Sequence, residues 1–592
     1  MILREKWIRY RYLVFALIAI VLAPSIWAIT TSKDIQRDKS IPIALTSDLA
    51  ALGNAGPNFV FSKLVGPAPT HMKIQDLQAG KFQLRANGDI WNFSLPINWA
   101  VDPFNDLNWR YELNKLVMID PYLAKFEKDR DSNAFRAAVT IILDWQDFHQ
   151  IKQQTSSVSW LDMVSGQRAA RLAYVIGKAE LQPDLLNKEQ MQRLISLSDF
   201  HVKRMQGPGF MPDDNHGIFD ALGLTALCQT LNELAACPEA EAKARRRMRE
   251  IFFLQFAEDG GHKEHSPLYH FFAVYAFNQV FASGLFDDDE QISKRRKLAA
   301  GLQPWFLDAT GRSPAIGDSE RNIAYVGAGL SCETGVQSCT KTRLLDKSGY
   351  GIVKTVSADK KHQGSLIMTC SFHSYIHKHL DELSFEWAEN GNLILVDSGK
   401  YAYDQNPMRT YMLSRPAHNT VAFKNEKFLL TKTKFPGNCM VSLDAEQYPI
   451  KLQGEYQVPN TKIQHNRIIE YTPANQLRVK DNFTGNDGGS PVAFWHFAPD
   501  FTLTKQDAFT VIASGKLQTV SAKLMTKNCR IEIQSGQKLP TYQGWVATGY
   551  RKAVAGNVII TTCPAGTKKI ETVFQIQNPQ SPPANIEVFT SN

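Results

Sequence analysis

Two hydrophobic periods divide this chain of 592 residues, and no single layer architecture serves both. From Asn105 onward, apolar side chains recur at helical spacing: Trp109, Leu113, Leu116 and Val117, then Phe135, Val139, Ile142, Leu143 and Trp145. The pattern continues through 160–177, 188–205, 217–234, 242–256 and 267–283, with short Gly-, Pro- and Asp-rich connections. Serial helices of this size pack as hairpins side by side, in a bundle or a curved α/α array. Beyond Ser348-Gly349-Tyr350-Gly351 the period falls to two. Runs at 351–356, 365–370, 393–396, 463–471, 477–481, 492–497, 546–549 and 558–562 read as strands separated by turn residues. The spacing therefore predicts a helical domain over 101–345 and an antiparallel β-sandwich domain over 346–592. Residues 31–100 read as a lead-in, with a short strand pair expected within 71–100.

The first thirty residues carry a targeting signal. Arg4, Lys6, Arg9 and Arg11 stand against one acid, Glu5, before an uncharged, mostly apolar run at 13–29. Pro24 and Ala28 then mark a cleavable end. An uncleaved anchor is the alternative, because the run is about 17 residues, near spanning length. Either form exports the body, to the periplasm or beyond, and leaves membrane attachment open. The net charge of +8 favours anionic partners weakly, and no basic-aromatic motif points to nucleic acid. The eight cysteines contain no CxxC pair. Cys228 with Cys237 and Cys332 with Cys339 are close enough to bridge, while Cys370, inside an apolar run, reads as a buried free thiol.

Chemistry concentrates at 372–421. Read as one extended segment, 372–387 puts His373, Tyr375, His377, His379, Asp381, Leu383, Phe385 and Trp387 on one face. Lys378, Glu382, Ser384 and Glu386 occupy the other. His379, Asp397 and His418 form an N,N,O set suited to zinc, and His377 is left free for proton transfer. In the helical half, Asn215 and His216 stand where a loop enters a helix. There Asp214 or Asn215 serves as an N-cap, or the helix end receives an anion. Residues 259–270 hold Glu264, three histidines and Tyr269, with Pro267 suited to the first turn of the next helix. A third polar loop runs Gly317-Asp318-Ser319-Glu320-Arg321.

These motifs, N-H-G at 215–217, D-G-G-H-K-E-H-S-P-L-Y-H at 259–270, G-D-S-E at 317–320, H-K-H-L-D-E-L-S-F at 377–385, L-V-D-S-G at 395–399 and S-R-P-A-H-N-T-V at 414–421, occur in family order. The chain resembles the heparinase II/III-like polysaccharide lyases and their alginate-lyase relatives. The resemblance implies an N-terminal incomplete α/α toroid, a C-terminal antiparallel β-sandwich and a cleft between them. It implies that Asn215 and His216 neutralise a uronate carboxylate and that Tyr269 and His377 transfer protons. Glu264 and Arg415 are expected against the substrate, an anionic polysaccharide. His379, Asp397 and His418 are expected to hold a structural zinc. Two rivals stand beside it. One is a glycoside hydrolase using two of Asp213, Asp214, Glu264 and Asp318. The other is a non-catalytic glycan-binding protein of surface-polysaccharide assembly.

Overall fold

Helices occupy the N-terminal half because the apolar residues lie on stripes and the ends are capped. Asp106, Asp131, Asp214 and Asp289 each accept backbone N–H groups at a helix start, and Asn187 forms a full capping box with Gln190. A computed structural model describes residues 71–589, apart from 86–87, 153, 155, 283, 322–328, 358–363, 404, 425–436, 460 and 487. The expected signal or anchor at 1–30 and the first part of the lead-in lie outside the described residues. Among the described residues no helix is long and apolar enough to cross a membrane.

The main helices are Leu107–Asn114, Asp120–Asp129, Ser132–Gln146, Asp162–Leu181, Lys188–Met205, Asn215–Thr230, Cys237–Gln255, Pro267–Ala282 and Glu290–Leu302. They surround one apolar core that includes Trp145, Phe135, Leu172, Leu224 and Phe252. Helices Asp162–Leu181 and Asn215–Thr230 approach so closely at Gly166 and Gly223 that a Cβ on Gly223 would lie 2.0 Å from the Gly166 carbonyl oxygen. The expected strand pair is Lys81–Phe82 with Trp91–Asn92. Phe82, Ile97 and Trp99 are buried in the helical core, so this part of the lead-in belongs to the helical body.

Two large sheets follow. One has ten strands, the other eight. Trp387, Trp495 and Phe497 of the first pack against Phe574 of the second. Pairing is antiparallel except at one edge, where Asn585–Phe589 runs parallel to Ser338–Leu345. Strand Ser338–Leu345 also corrects the expected start of the sandwich at 346. It forms a hairpin with Tyr350–Ser357, so the Ser-Gly-Tyr-Gly texture change marks a hairpin turn inside the sheet. That turn is fastened to the helical half, since Asp259 Oδ2 accepts the N–H groups of Lys347 and Ser348 at 2.9 and 2.8 Å. Phe271, Trp305 and Phe306 share an apolar cluster with Leu345, Tyr350 and Ile352, which joins the two halves.

Two further expectations fail. Residues 372–387 are not one extended segment. Strand Ser371–Phe372 ends in a turn, and the next strand begins only at Phe385. His377 and Leu383 adopt left-handed φ of 54° and 61°, which breaks the alternation. Lys378, Glu382, Ser384 and Glu386 are buried like His379, and the charged ones pair internally: Lys378 with Asp381 and Glu382, Glu386 with Arg321. Cys370 is not a free thiol but bridges Cys439 across 69 residues, since the chain returns beside its strand. The expected bridges Cys228–Cys237 and Cys332–Cys339 are present, with Cys529–Cys563 as a fourth.

Candidate active site and metal cluster

Tyr269 lies in the first turn of helix Pro267–Ala282, and its position is set by serine caps. Ser266 Oγ accepts the Tyr269 N–H at 3.3 Å, and Ser319 Oγ accepts the Leu268 N–H at 3.2 Å. From the opposite half, the 373–384 turn carries His377 onto the tyrosine. The two rings stack with centroids 3.4 Å apart and planes 18° from parallel. His265 clamps that turn through both ring nitrogens. Nδ1 lies 3.0 Å from the Ile376 carbonyl, to which it donates, and Nε2 accepts the His373 N–H at 2.8 Å. Burial keeps this imidazole neutral by pushing its pKa well down.

Behind His377 lies Glu264, 4 % exposed, with Oε2 3.0 Å from His377 Nδ1. Burial pushes the Glu264 carboxyl up, but His262, His377 and His216 together outweigh it and hold it below its usual range. His216 stands on the first turn of helix Asn215–Thr230. Asn215 is buried beside it at the same helix end. Asp214 takes the N-cap role, accepting the His216 N–H at 3.0 Å. Four of the expected residues thus come from two helix entrances and one turn. The arrangement offers a phenol and an imidazole to a proton.

Tyr403 and Lys400 complete the cluster. The sequence offered them only within the run after Asp397, with no spacing to connect them to Tyr269. The Tyr269 hydroxyl hydrogen-bonds the Tyr403 hydroxyl. Lys400 Nζ reaches Tyr403 at 3.3 Å and pairs with Glu320 at 2.7 Å. Burial, then Tyr403 and the Asp318 and Glu264 carboxylates, push the Tyr269 phenol well above its ordinary value, so it stays protonated at neutral pH.

His379, Asp397 and His418 are fully buried, and one ligand atom from each lies within 4.8 Å of the others. His418 Nδ1 is 2.7 Å from Asp397 Oδ2. His379 Nε2 is 2.9 Å from Asp318 Oδ1, and Arg409 holds the same carboxylate. Among the described residues, His379 Nδ1 and His418 Nε2 have no hydrogen-bond partner. Two orphaned buried imidazole nitrogens beside a carboxylate fit a cation, since burying them unpaired is unfavourable.

Residues 70–291 match the heparinase II/III N-terminus, and residues 340–575 match the heparinase II/III-like C-terminal family. The chain belongs to the heparinase II/III-like family of polysaccharide lyases. Among solved structures, a heparinase III aligns at 14 % identity over 92 % of this chain and 88 % of its own, with a TM-score of 0.67. A mutant of the heparan sulfate lyase HepC from Pedobacter heparinus aligns at 14 % identity over 90 % and 85 %, with a TM-score of 0.63. The heparinase III BT4657 gene product with methylated lysines gives 14 %, 91 % and 86 %, and 0.63. These likenesses establish the toroid-plus-sandwich fold. No curated protein matches.

Within this heparinase-like frame, the two residues expected against substrate are both buried. Arg415 is 3 % exposed, donates to Glu382 at 2.8 Å and lies over the Tyr456 ring, so in this structure its contacts are with the sandwich. Glu264 is 4 % exposed and bonded to His377 through Oε2. The carboxylates a hydrolase could use are likewise engaged. Asp213 pairs with Arg247, Asp214 caps a helix, Asp318 is held by Arg409 and His379, and Glu264 by His377.

Proposed function

We propose that this chain is an exported polysaccharide lyase that cleaves a uronic-acid-containing glycan by β-elimination. The observation that carries the reading is the Tyr269–His377 stack, with Glu264 behind the imidazole and the Asn215–His216 helix end nearby. Elimination removes the C5 proton, α to a carboxylate. The C5–H electrons form the C4=C5 double bond, the C4–O4 bond breaks, and O4 leaves with a proton. Asn215 and His216 neutralise the uronate, which lowers the cost of the developing dianion. With Nδ1–H donating to Glu264, His377 presents a lone pair at Nε2 and accepts the C5 proton. Tyr269, kept protonated, donates to the departing O4.

His379, Asp397 and His418 would hold zinc as a structural ion, with Asp318 orienting His379. When bound, it would supply a fixed cross-link between the 373–384 turn and the strand ends. Pairing of all eight cysteines in four bridges supports an oxidising compartment such as the periplasm. The substrate class follows from the site's appetite for a carboxylate, and the heparan sulfate and heparinase III neighbours act as the chemical precedent.

The test is turnover of a panel of uronic-acid glycans, read by near-ultraviolet absorbance of the new double bond. Tyr269→Phe should lower turnover by about 10²–10⁴-fold, the usual contribution of a general acid. The loss should shrink on a substrate whose O4 leaving group is an activated phenol, which needs no proton. Full turnover by Tyr269→Phe would remove the tyrosine from the mechanism, and a reducing end formed without a double bond would replace the lyase with a hydrolase.

A further inference from the structure

The polar loop at 317–320 supplies no group to the proposed chemistry, yet each of its four residues touches a segment that carries or holds a site residue. Gly317 has φ of +58°, and a Cβ there would lie 2.4 Å from the His265 carbonyl oxygen and 3.1 Å from that of His377. Asp318 accepts from His379 and Arg409, while its N–H points at the His377 carbonyl at 3.3 Å. Ser319 Oγ lies 2.8 Å from Ser266 Oγ and accepts the Leu268 N–H. Glu320 pairs with Lys400, the neighbour of Tyr403. Ser319 and Ser266 are 0 % and 1 % exposed, so water does not substitute for either hydroxyl.

We infer that the 317–320 loop is a positioning element that fixes Tyr269 against His377, and that Ser319 is its decisive side chain. Helix Pro267–Ala282 needs acceptors for its first N–H groups. Ser266 supplies one locally. Ser319 supplies the next from a loop about fifty residues away in the chain. The helix end that carries Tyr269 is thereby tied to the loop whose Gly317 and Asp318 meet the His377 turn. One short segment thus sets the register of both halves of the stack. Only a residue without a Cβ fits at 317, because the His265 and His377 carbonyls close over it. The inference rests on the assignment of Tyr269 and His377 as the proton-transferring pair.

Ser319→Ala, Ser266→Ala and the double variant test it, with kcat and KM measured on a glycan the wild type cleaves. Misplacing a catalytic group by about an ångström costs up to roughly 100-fold in rate. Ser319→Ala should lower kcat by about 10- to 100-fold and leave KM within about twofold, because Asn215 and His216 still bind the uronate. The double variant should lose less than the product of the two single losses, since the Ser266–Ser319 contact is shared, while each serine also holds a helix N–H of its own. Near-ultraviolet circular dichroism of each variant reports whether the fold is kept, and Ser266→Ala provides a second cut of the contact if Ser319→Ala does not fold. A folded Ser319→Ala or Ser266→Ala enzyme with wild-type kcat would overturn the inference, as would losses that multiply in the double variant. An inactive Tyr269→Phe enzyme beside a fully active Ser319→Ala enzyme would defeat this inference alone. A fully active Tyr269→Phe enzyme would defeat the catalytic reading first.

Discussion

At the scale of single residues, burial decides what each titratable group can do. His265 and His377 lie in adjacent segments of one site, yet only His377 keeps a ring nitrogen available, because the Ile376 carbonyl and the His373 N–H occupy both nitrogens of His265. The same logic applies far from the cleft. Glu389 is 1 % exposed between the two sheets and accepts from Trp387, Tyr471 and the Ala474 N–H. Burial nevertheless pushes its carboxyl up to about 7, from an ordinary 4.5. Because the folded value is the higher, the native state holds the extra proton between those limits. Its stabilising contribution is complete below pH 4.5 and is lost as pH rises through 7. Glu389→Gln removes the titration. The stability of the variant relative to wild type should therefore improve between pH 4.5 and 7, by up to about 1.4 kcal/mol per unit. Urea midpoints at several pH values measure it, and a constant difference across that range would show that Glu389 stays ionised.

At the scale of elements, close approach is what the sequence patterns imply least and the fold uses most. The Asp162–Leu181 and Asn215–Thr230 helices meet backbone to backbone, and this seats the Asn215 helix end. Gly223→Ala would drive a Cβ into the Gly166 carbonyl, a collision that no side-chain rotation relieves. We expect it to destabilise the protein by about 1–3 kcal/mol or more, as overpacking does. Gly301→Ala, on helix Glu290–Leu302, meets nothing within 4 Å and should be neutral or stabilising by up to about 1 kcal/mol. Thermal midpoints of the two variants make the comparison, and equal midpoints would contradict the packing account.

At the scale of the whole molecule, the sandwich and the helical array are joined by the 259–270 and 317–320 loops and by the cluster around Phe306 and Tyr350. The metal cluster lies next to this junction through the Asp318–His379 contact. A bound zinc should therefore stabilise the native state by mass action, about 2.7 kcal/mol at a hundredfold excess over Kd. Protein purified without chelator should contain one zinc per chain. Chelation should lower its thermal midpoint, and added zinc should restore it. His379→Ala should have the lower midpoint from the start and show no response to chelator. An unchanged midpoint in chelated wild-type protein would argue against a structural ion there.

The sequence by itself determined the order of the two halves. Hydrophobic period is a local property, and 3.6-residue and two-residue repeats cannot exchange roles. It also placed the helix entrances, with Pro267 in one first turn and Asp214 or Asn215 as the other cap, and the structure chose Asp214. The His379, Asp397 and His418 cluster was legible because these side chains are chemically conspicuous. Only the tertiary structure decided that 372–387 turns instead of extending, because the left-handed His377 is held by His265 and by Gly317 from another half of the chain. Likewise, Cys370 meets Cys439, Tyr403 meets Tyr269, Glu264 meets His377 and Arg415 meets Glu382, mostly through contacts over many residues of chain. Such contacts leave no periodic trace. They exist only where two separately patterned halves are brought against each other.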